Sequence, residues 1–125
     1  MTNNHCVSTA GELRNTDVWF NYQRMTCNGS LDGVVKVMGN ELIKTDYTLD
    51  YSLFSVANFE AIVQFGYLGL TDAPPIYGSG IYIPQHGAGN PKEIAVESDK
   101  NGSGLCQIDI ASANGRSAGT DTGYF

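Results

Sequence analysis

The sequence predicts an all-β protein, an antiparallel β-sandwich that is jelly-roll-like or immunoglobulin-like and has about seven to eight strands. Residues 43–53 alternate between apolar and polar side chains, as a strand with one buried face does. Fifteen glycines and several Asn-Gly and Asp-Gly pairs favour strands joined by tight turns over helices. No stretch suits the helical crossover that parallel pairing needs. A small β-barrel is the alternative architecture.

The chain of 125 residues is predicted to form one β domain, 1–125, because a single core commonly serves about 100–150 residues. With 42% hydrophobic and 16% charged residues, it is too apolar for a disordered chain. Residues 1–14 are polar and are expected to be an N-terminal strap or tail. Residues 112–125 are rich in Gly, Ser and Thr and are expected to be a C-terminal tail.

In the first half of the chain, alternation predicts a strand over 17–25 and a β-branched run predicts another over 34–38. Gly39-Asn40 then stands before the long strand 43–53 and predicts a two-residue hairpin turn. On the long strand, Ile43 and Leu53 are expected to face the core.

In the second half, 59–70 is apolar on both faces and predicts a strand buried on two sides, with a short helix from Asn58 as the rival reading. Prolines then interrupt the pattern, since proline has no amide hydrogen to donate. Shorter strands are predicted over 80–84, 93–97 and 104–111. Their inward residues are expected to be Ile94, Val96, Cys106, Ile108 and Ile110.

The net charge of −6 and the pI near 4.6 argue against a nucleic-acid surface, because phosphate binding needs clustered Lys and Arg and the chain has seven in all. No basic-then-apolar leader opens the chain, and no run approaches the roughly 18 apolar residues that cross a bilayer. We therefore expect no nucleic-acid partner and no membrane insertion.

The cysteines Cys6, Cys27 and Cys106 are odd in number and form no C-x-x-C pair, so the sequence predicts neither a full disulfide framework nor a zinc knuckle. Cys106 is expected to be a small buried hydrophobic residue. A disulfide between Cys6 and Cys27 stays open.

A calcium ion is the cofactor that the sequence allows. Asp99, Asn101 and Ser103 place oxygen side chains at alternate positions before a glycine, as the first half of a calcium-binding loop does. The twelfth position is Ile110 instead of the bidentate Glu, so a polar hairpin loop is the favoured interpretation. No other cofactor is predicted.

Two Asn-Gly-Ser tripeptides, at Asn28 and Asn101, fit the acceptor pattern for N-glycosylation. Asn-Gly pairs also form ordinary turns, and we expect turns at both places.

Ligand binding is assigned to aromatic and amide side chains, and no catalytic residue is assigned. A sugar ring packs on an aromatic face while amides bind its hydroxyls, although the same aromatic residues also suit buried packing or a subunit interface. The candidate residues are Trp19, Tyr77, Tyr82, His86 and Asn90.

In general character, this short, acidic, Gly- and Asn-rich β chain resembles the receptor-binding tip domain of a viral or bacteriophage fibre. The resemblance implies a non-enzymatic homotrimer, on a virion or outside cells, that binds a host-surface glycan or protein receptor. One alternative is a carbohydrate-binding module of a secreted enzyme, stabilised by calcium. Another is a small β-barrel enzyme or ligand carrier.

Overall fold

A computed structural model describes residues 1–69, 71–74, 76–98 and 104–108. Contacts divide the chain into two compact units, Met1–Leu68 and Gly69–Phe125. The single domain stays a prediction, and each unit is described by itself below.

Helix α1, Ala10–Arg14, was not predicted from the sequence. A capping box begins it: Thr9 accepts a hydrogen bond from the backbone N–H of Glu12, and the Glu12 carboxylate accepts one from the backbone N–H of Thr9. The helix buries Leu13, which is 0% exposed. The polar N-terminal stretch therefore supplies part of the core of the first unit.

The first unit contains a three-stranded antiparallel sheet in the order β1-β2-β3. Its strands are β1 (Asp17–Phe20), β2 (Val35–Asp46) and β3 (Tyr51–Val56). β1 pairs with residues 35–38 of β2, and β3 pairs with residues 39–46. The hairpins overlap at Met38 and Gly39, whose backbone groups bond to Ala57 and Thr16 respectively.

The predicted strand 43–53 is wrong, because a turn at residues 47–50 separates β2 from β3. Asp46 accepts a hydrogen bond from the backbone N–H of Leu49 at 2.9 Å, and Asp50 takes a positive φ of 49°. The predicted core face is also wrong: Ile43 is 58% exposed, whereas Ser52 is fully buried. A turn resets the face of a strand, so alternation across it does not mark one surface.

The hairpin predicted at Gly39-Asn40 is wrong too, since both residues lie inside β2. Gly39 serves close packing instead. A β-carbon at this position would stand 2.5 Å from the carbonyl oxygen of Leu13. The glycine therefore lets α1 approach the inner face of the sheet.

The core of the first unit lies on that inner face. Val7, Leu13, Val37 and Ile62 are its buried apolar residues. Ser52 donates a hydrogen bond of 2.5 Å to the carbonyl oxygen of Val7, which fixes the N-terminal residues against β3. Backbone hydrogen bonds between Thr2 and Ser52 add to this attachment.

The strand predicted over 59–70 is also wrong in its described part. Two 3₁₀ turns, Phe59–Ala61 and Val63–Phe65, occupy residues 59–65, which is nearer to the rival helical reading. Phe20 stacks on Phe65 with ring centroids 5.8 Å apart. The glycine at 66 takes a φ of 67°, which ends the second turn.

The second unit has two small antiparallel sheets in its described residues. β4 (Ile83–Gln85) pairs with β5 (Glu93–Ala95), and β6 (Glu97–Ser98) pairs with β7 (Gly104–Leu105). The buried position of Cys106 is confirmed, at 9% exposure.

The inward positions predicted for Ile94 and Val96 are wrong, since they are 62% and 45% exposed. Ile94 lies in the three-residue strand β5, and Val96 lies between β5 and the two-residue strand β6. Strands this short form sheets too small to cover these side chains. Ile108 is half-buried. The prediction for Ile110 and the tail 112–125 lies outside the described residues.

Antiparallel strands and little helix support the all-β class. The described strands form three small sheets, so a sandwich of seven to eight strands is not demonstrated. No sheet among residues 1–69, 71–74, 76–98 and 104–108 closes into a barrel.

Candidate functional site

The outer face of the first sheet is the surface of β1, β2 and β3 that points away from α1. Cross-strand partners share a face, so the pairs Trp19–Lys36 and Asp17–Met38 lie on it together. The intervening pair Val18–Val37 faces the core, and Val37 is 5% exposed. On β3, Leu53 lies opposite Lys44 and joins the same outer face.

Trp19, on the edge strand β1, carries the aromatic and cation–π contacts of this outer face. Its ring makes an edge-to-face contact with Tyr22, with centroids 5.2 Å apart and planes at 89°. The Lys36 ammonium lies 3.6 Å from the Trp19 ring centroid, a cation–π contact. Trp19 is thus held in place by two neighbours while 44% of it stays exposed.

Apolar side chains extend the outer face beyond Trp19. Met38 is 50% exposed and Leu53 is 41% exposed. Asn40 and Ser55 supply polar groups beside them, joined by a side-chain hydrogen bond of 3.3 Å. An apolar centre with polar and cationic neighbours is the usual composition of a protein-binding surface.

The sequence left open whether Trp19 packs inside the protein or contacts a ligand. In the structure it packs partly against Tyr22 and Lys36 and stays partly exposed. The sequence did not single out Tyr22, Lys36 and Met38. The predicted strand over 34–38 was the available signal, because side chains alternate between the two faces of a strand, so Lys36 and Met38 lie opposite the core residue Val37.

The other four predicted ligand residues lie in the second unit. Tyr77 and Tyr82 are 70% and 69% exposed. His86 and Asn90 share a tight loop, where the Nδ1 of His86 donates to the carbonyl oxygen of Asn90 at 3.0 Å. The nitrogen is the donor because a carbonyl oxygen only accepts.

The predicted calcium ligands Asp99, Asn101 and Ser103 lie outside the described residues. Elsewhere, in the part of the chain that the structure describes, no three His, Cys, Asp or Glu side chains gather as metal ligands would. Cys6 and Cys27 are exposed, and no disulfide joins them in this structure.

A polar cluster around Asp50 attaches the N-terminal turn to the β2–β3 hairpin. The Asp50 carboxylate accepts hydrogen bonds from the backbone N–H of His5 at 3.0 Å and from the Asn3 amide at 3.1 Å. The His5 ring lies 2.7 Å from the same carboxylate. The backbone bond from His5 is the main cause of a lowered pKa at Asp50, and desolvation opposes it.

This cluster was not predicted from the sequence, because His5 and Asp50 are 45 positions apart and no local pattern joins them. Both side chains are well exposed, at 57% and 42%. A solvated pair of this kind positions a turn, and we assign it a structural role.

None of the helices in the described ranges has the length and apolar character required to cross a membrane.

Comparisons with known proteins identify a secreted protein that is similar to this chain. No family model matches the chain, and no solved structure matches it. The chain is similar to the protein named secreted RxLR effector protein 73 of Plasmopara viticola, with 37% identity over 110 residues. The match covers 83% of this chain and 27% of the relative, so the chain spans about a quarter of that protein's length.

Proposed function

We propose that this chain is part of a secreted, non-enzymatic effector that binds a host protein through the outer face of its first sheet. The similarity to a secreted effector supports the secretion, the extracellular location and the effector class. The exposed Trp19, held by Tyr22 and Lys36, is the single observation that supports the outer face as the binding surface. The relative gives no support to a viral fibre tip.

The energetics of protein interfaces favour Trp19 as the central contact. A few residues carry most of the binding free energy, and Trp and Tyr are enriched among them. Trp19 is already ordered by its neighbours, so its burial by a partner loses little side-chain entropy. Met38, which lies two residues from Lys36 on the same face of β2, would add apolar area beside it.

The same contacts explain why a protein suits this face better than a sugar. Lys36 lies over the ring of Trp19, on the surface that a pyranose would need for stacking. A protein partner avoids this competition, because a carboxylate on its surface can pair with Lys36 while an apolar group packs beside Trp19.

Binding to a host protein can be tested with the whole chain and three variants. Biotinylated chain is used to capture proteins from host tissue, and each captured protein is then purified and its Kd measured. Trp19→Ala and Lys36→Glu alter the outer face. Tyr47→Ala is the matched control, because Tyr47 is an aromatic residue that is 88% exposed in the β2–β3 turn.

We expect the wild-type chain and Tyr47→Ala to bind one host protein equally, and Trp19→Ala to bind it at least about tenfold more weakly, or about 1.4 kcal/mol. Lys36→Glu should also weaken binding, and the loss of affinity should be larger at low salt than at high salt, because salt screens the charge. Equal loss in Tyr47→Ala, or full binding by Trp19→Ala with unchanged thermal unfolding, would reject the outer face as the site.

A glycan site in the second unit is a second candidate, supported by the exposure of Tyr77 and Tyr82. Here a glycan array probed with the wild-type chain, Tyr77→Ala and Tyr82→Ala is the test. Binding to a defined glycan that either variant abolishes would favour this site, and a blank array would remove it.

The homotrimer stays a prediction from the sequence. Light scattering on a sizing column would measure the absolute mass, and a species near the mass of one chain, 13.4 kDa, would contradict the homotrimer. Repeating the measurement with calcium, alongside thermal unfolding, tests the ion proposed at Asp99, Asn101 and Ser103.

A further inference from the structure

The loop between β1 and β2 carries the tripeptide Asn28-Gly29-Ser30 at its tip. An isolated β-bridge between Arg24 and Leu31 closes the loop below it. At the tip, the N–H of Gly29 bonds to the carbonyl oxygen of Thr26 at 3.0 Å. The tripeptide is therefore displayed on a small closed turn beyond the end of the sheet.

We propose that Asn28 accepts an N-linked glycan when the chain passes through a secretory pathway. The proposal rests on the secretion in the proposed function, and it does not depend on the binding surface. Asn-x-Ser with x other than proline is the acceptor pattern of this modification, and it requires an accessible surface loop.

The side chain of Asn28 is available for the reaction. Asn28 is exposed, and within the described residues its amide has no hydrogen-bond partner. Asn21 offers a contrast in the same loop. Asn21 and Asn28 both have a positive φ, but the amide of Asn21 donates to the carbonyl oxygens of Asp32 and Gly33 at 3.2 and 3.3 Å.

The hydroxyl of Ser30 completes the acceptor pattern on the same surface. Ser30 is exposed and donates to the Asp32 carboxylate, with oxygens 3.1 Å apart at the nearer contact. This bond joins two exposed side chains two residues apart, so the hydroxyl can leave it for a bond to a transferase at little cost in free energy.

The reaction needs a lipid-linked oligosaccharide, a sugar chain on a polyprenyl diphosphate, as co-substrate. A bond forms between Nδ2 of Asn28 and the anomeric carbon of the first sugar, and the bond from that carbon to the phosphate oxygen breaks. The diphosphate leaves with the electron pair of the broken bond, and the Asn28 amide loses one proton.

A glycan at this place would cover apolar surface without reaching the polar cluster around Asp50. Met25, three residues before Asn28, is 80% exposed, and Leu31, at the base of the loop, is 40% exposed. The loop precedes β2, whereas the turn 47–50 follows it, so the 12 residues of β2 separate them by about 40 Å.

To test the proposal, the whole chain is expressed behind a secretion signal in eukaryotic cells. Every variant, including the parent, carries Asn101→Gln, which removes the second acceptor tripeptide, because that tripeptide lies outside the described residues. Intact mass is measured before and after peptide-N-glycosidase, which releases the glycan and leaves Asp at position 28. Asn28→Gln and Ser30→Ala remove the acceptor pattern, and Ser30→Thr keeps it.

We expect a mass excess in the parent and in Ser30→Thr that the glycosidase removes, and no excess in Asn28→Gln or Ser30→Ala. If the parent chain shows no mass excess in cells that glycosylate a control protein, the proposal is overturned. Binding by the outer face is measured on bacterially produced chain, so its failure is read separately.

Discussion

Leu13 and Gly39 are packed so closely that no side chain fits on Gly39. A β-carbon there would stand 2.5 Å from the Leu13 carbonyl oxygen, which is closer than a carbon and an oxygen atom can approach without overlap. The contact sets the distance between α1 and β2, because one partner is helix backbone and cannot rotate away.

Gly39→Ala is therefore expected to destabilise the chain, by about 1–3 kcal/mol, because the helix must shift to admit the methyl group. Chemical denaturation followed by circular dichroism measures the change. Gly11→Ala is the matched control, since the nearest atom to its β-carbon would be 3.9 Å away. In α1 that substitution should stabilise by up to about 1 kcal/mol, so a loss of stability there would contradict the argument.

Thr9→Ala should lower the free energy of unfolding by about 1 kcal/mol, because it removes the side chain that caps α1. The exposed Thr48 in the β2–β3 turn provides a threonine control, and Thr48→Ala should stay within about 0.5 kcal/mol of wild type. Equal effects of the two substitutions would show that the capping box adds nothing.

The chain is expected to lose stability in acid through Asp50. Its folded pKa lies below the ordinary value, so its carboxylate stabilises the fold above about pH 4 and this contribution is lost as pH falls through the folded pKa. Glu12, whose pKa is lowered chiefly by the backbone hydrogen bond from Ser8, acts in the same direction.

Asp50→Asn isolates the Asp50 contribution, since asparagine accepts the positive φ of this position. The variant should be less stable than wild type at pH 7, and the difference should shrink towards pH 2. Glu60→Gln, at an exposed carboxylate, is the control and should match wild type at both pH values. A difference for Asp50→Asn that does not change with pH would refute the linkage.

Two of the three thiols should react at once with a chromogenic disulfide reagent in the folded chain. Cys6 and Cys27 are exposed, whereas Cys106 is buried and should react only as the chain opens. Single Cys→Ser variants assign each phase. Rapid reaction of all three thiols without denaturant would contradict the buried position of Cys106.

The starts of β1 and β2 were easier to predict than the ends of the strands and the turns between them. The alternation of residues 43–53 is real, but Asp46 ends β2 and Asp50 lies in the turn that follows, and the face of the chain changes between them. Gly39 carries the local signal of a hairpin. Its role depends on Leu13, 26 positions earlier, which no local pattern shows.

Some features around the candidate site could likewise be predicted from the sequence, and others depend on the tertiary fold. Helix α1 could have been predicted, since Thr9 and Glu12 form the capping-box spacing. Trp19 was identified from its residue type, but its exposure depends on the register that places it opposite Lys36. The contacts of His5 with Asp50 depend on the tertiary fold and could not be predicted from sequence spacing.

The staggered pairing along β2 makes the sheet two hairpins joined end to end. One half carries Trp19, Lys36 and the Asn28 loop, and the other half holds the N-terminal residues through Ser52. Each half has its own backbone hydrogen bonds, so replacements in one do not remove those of the other. Side chains on the Trp19 half can thus be replaced without removing the hydrogen bonds by which the other half holds the N-terminal residues.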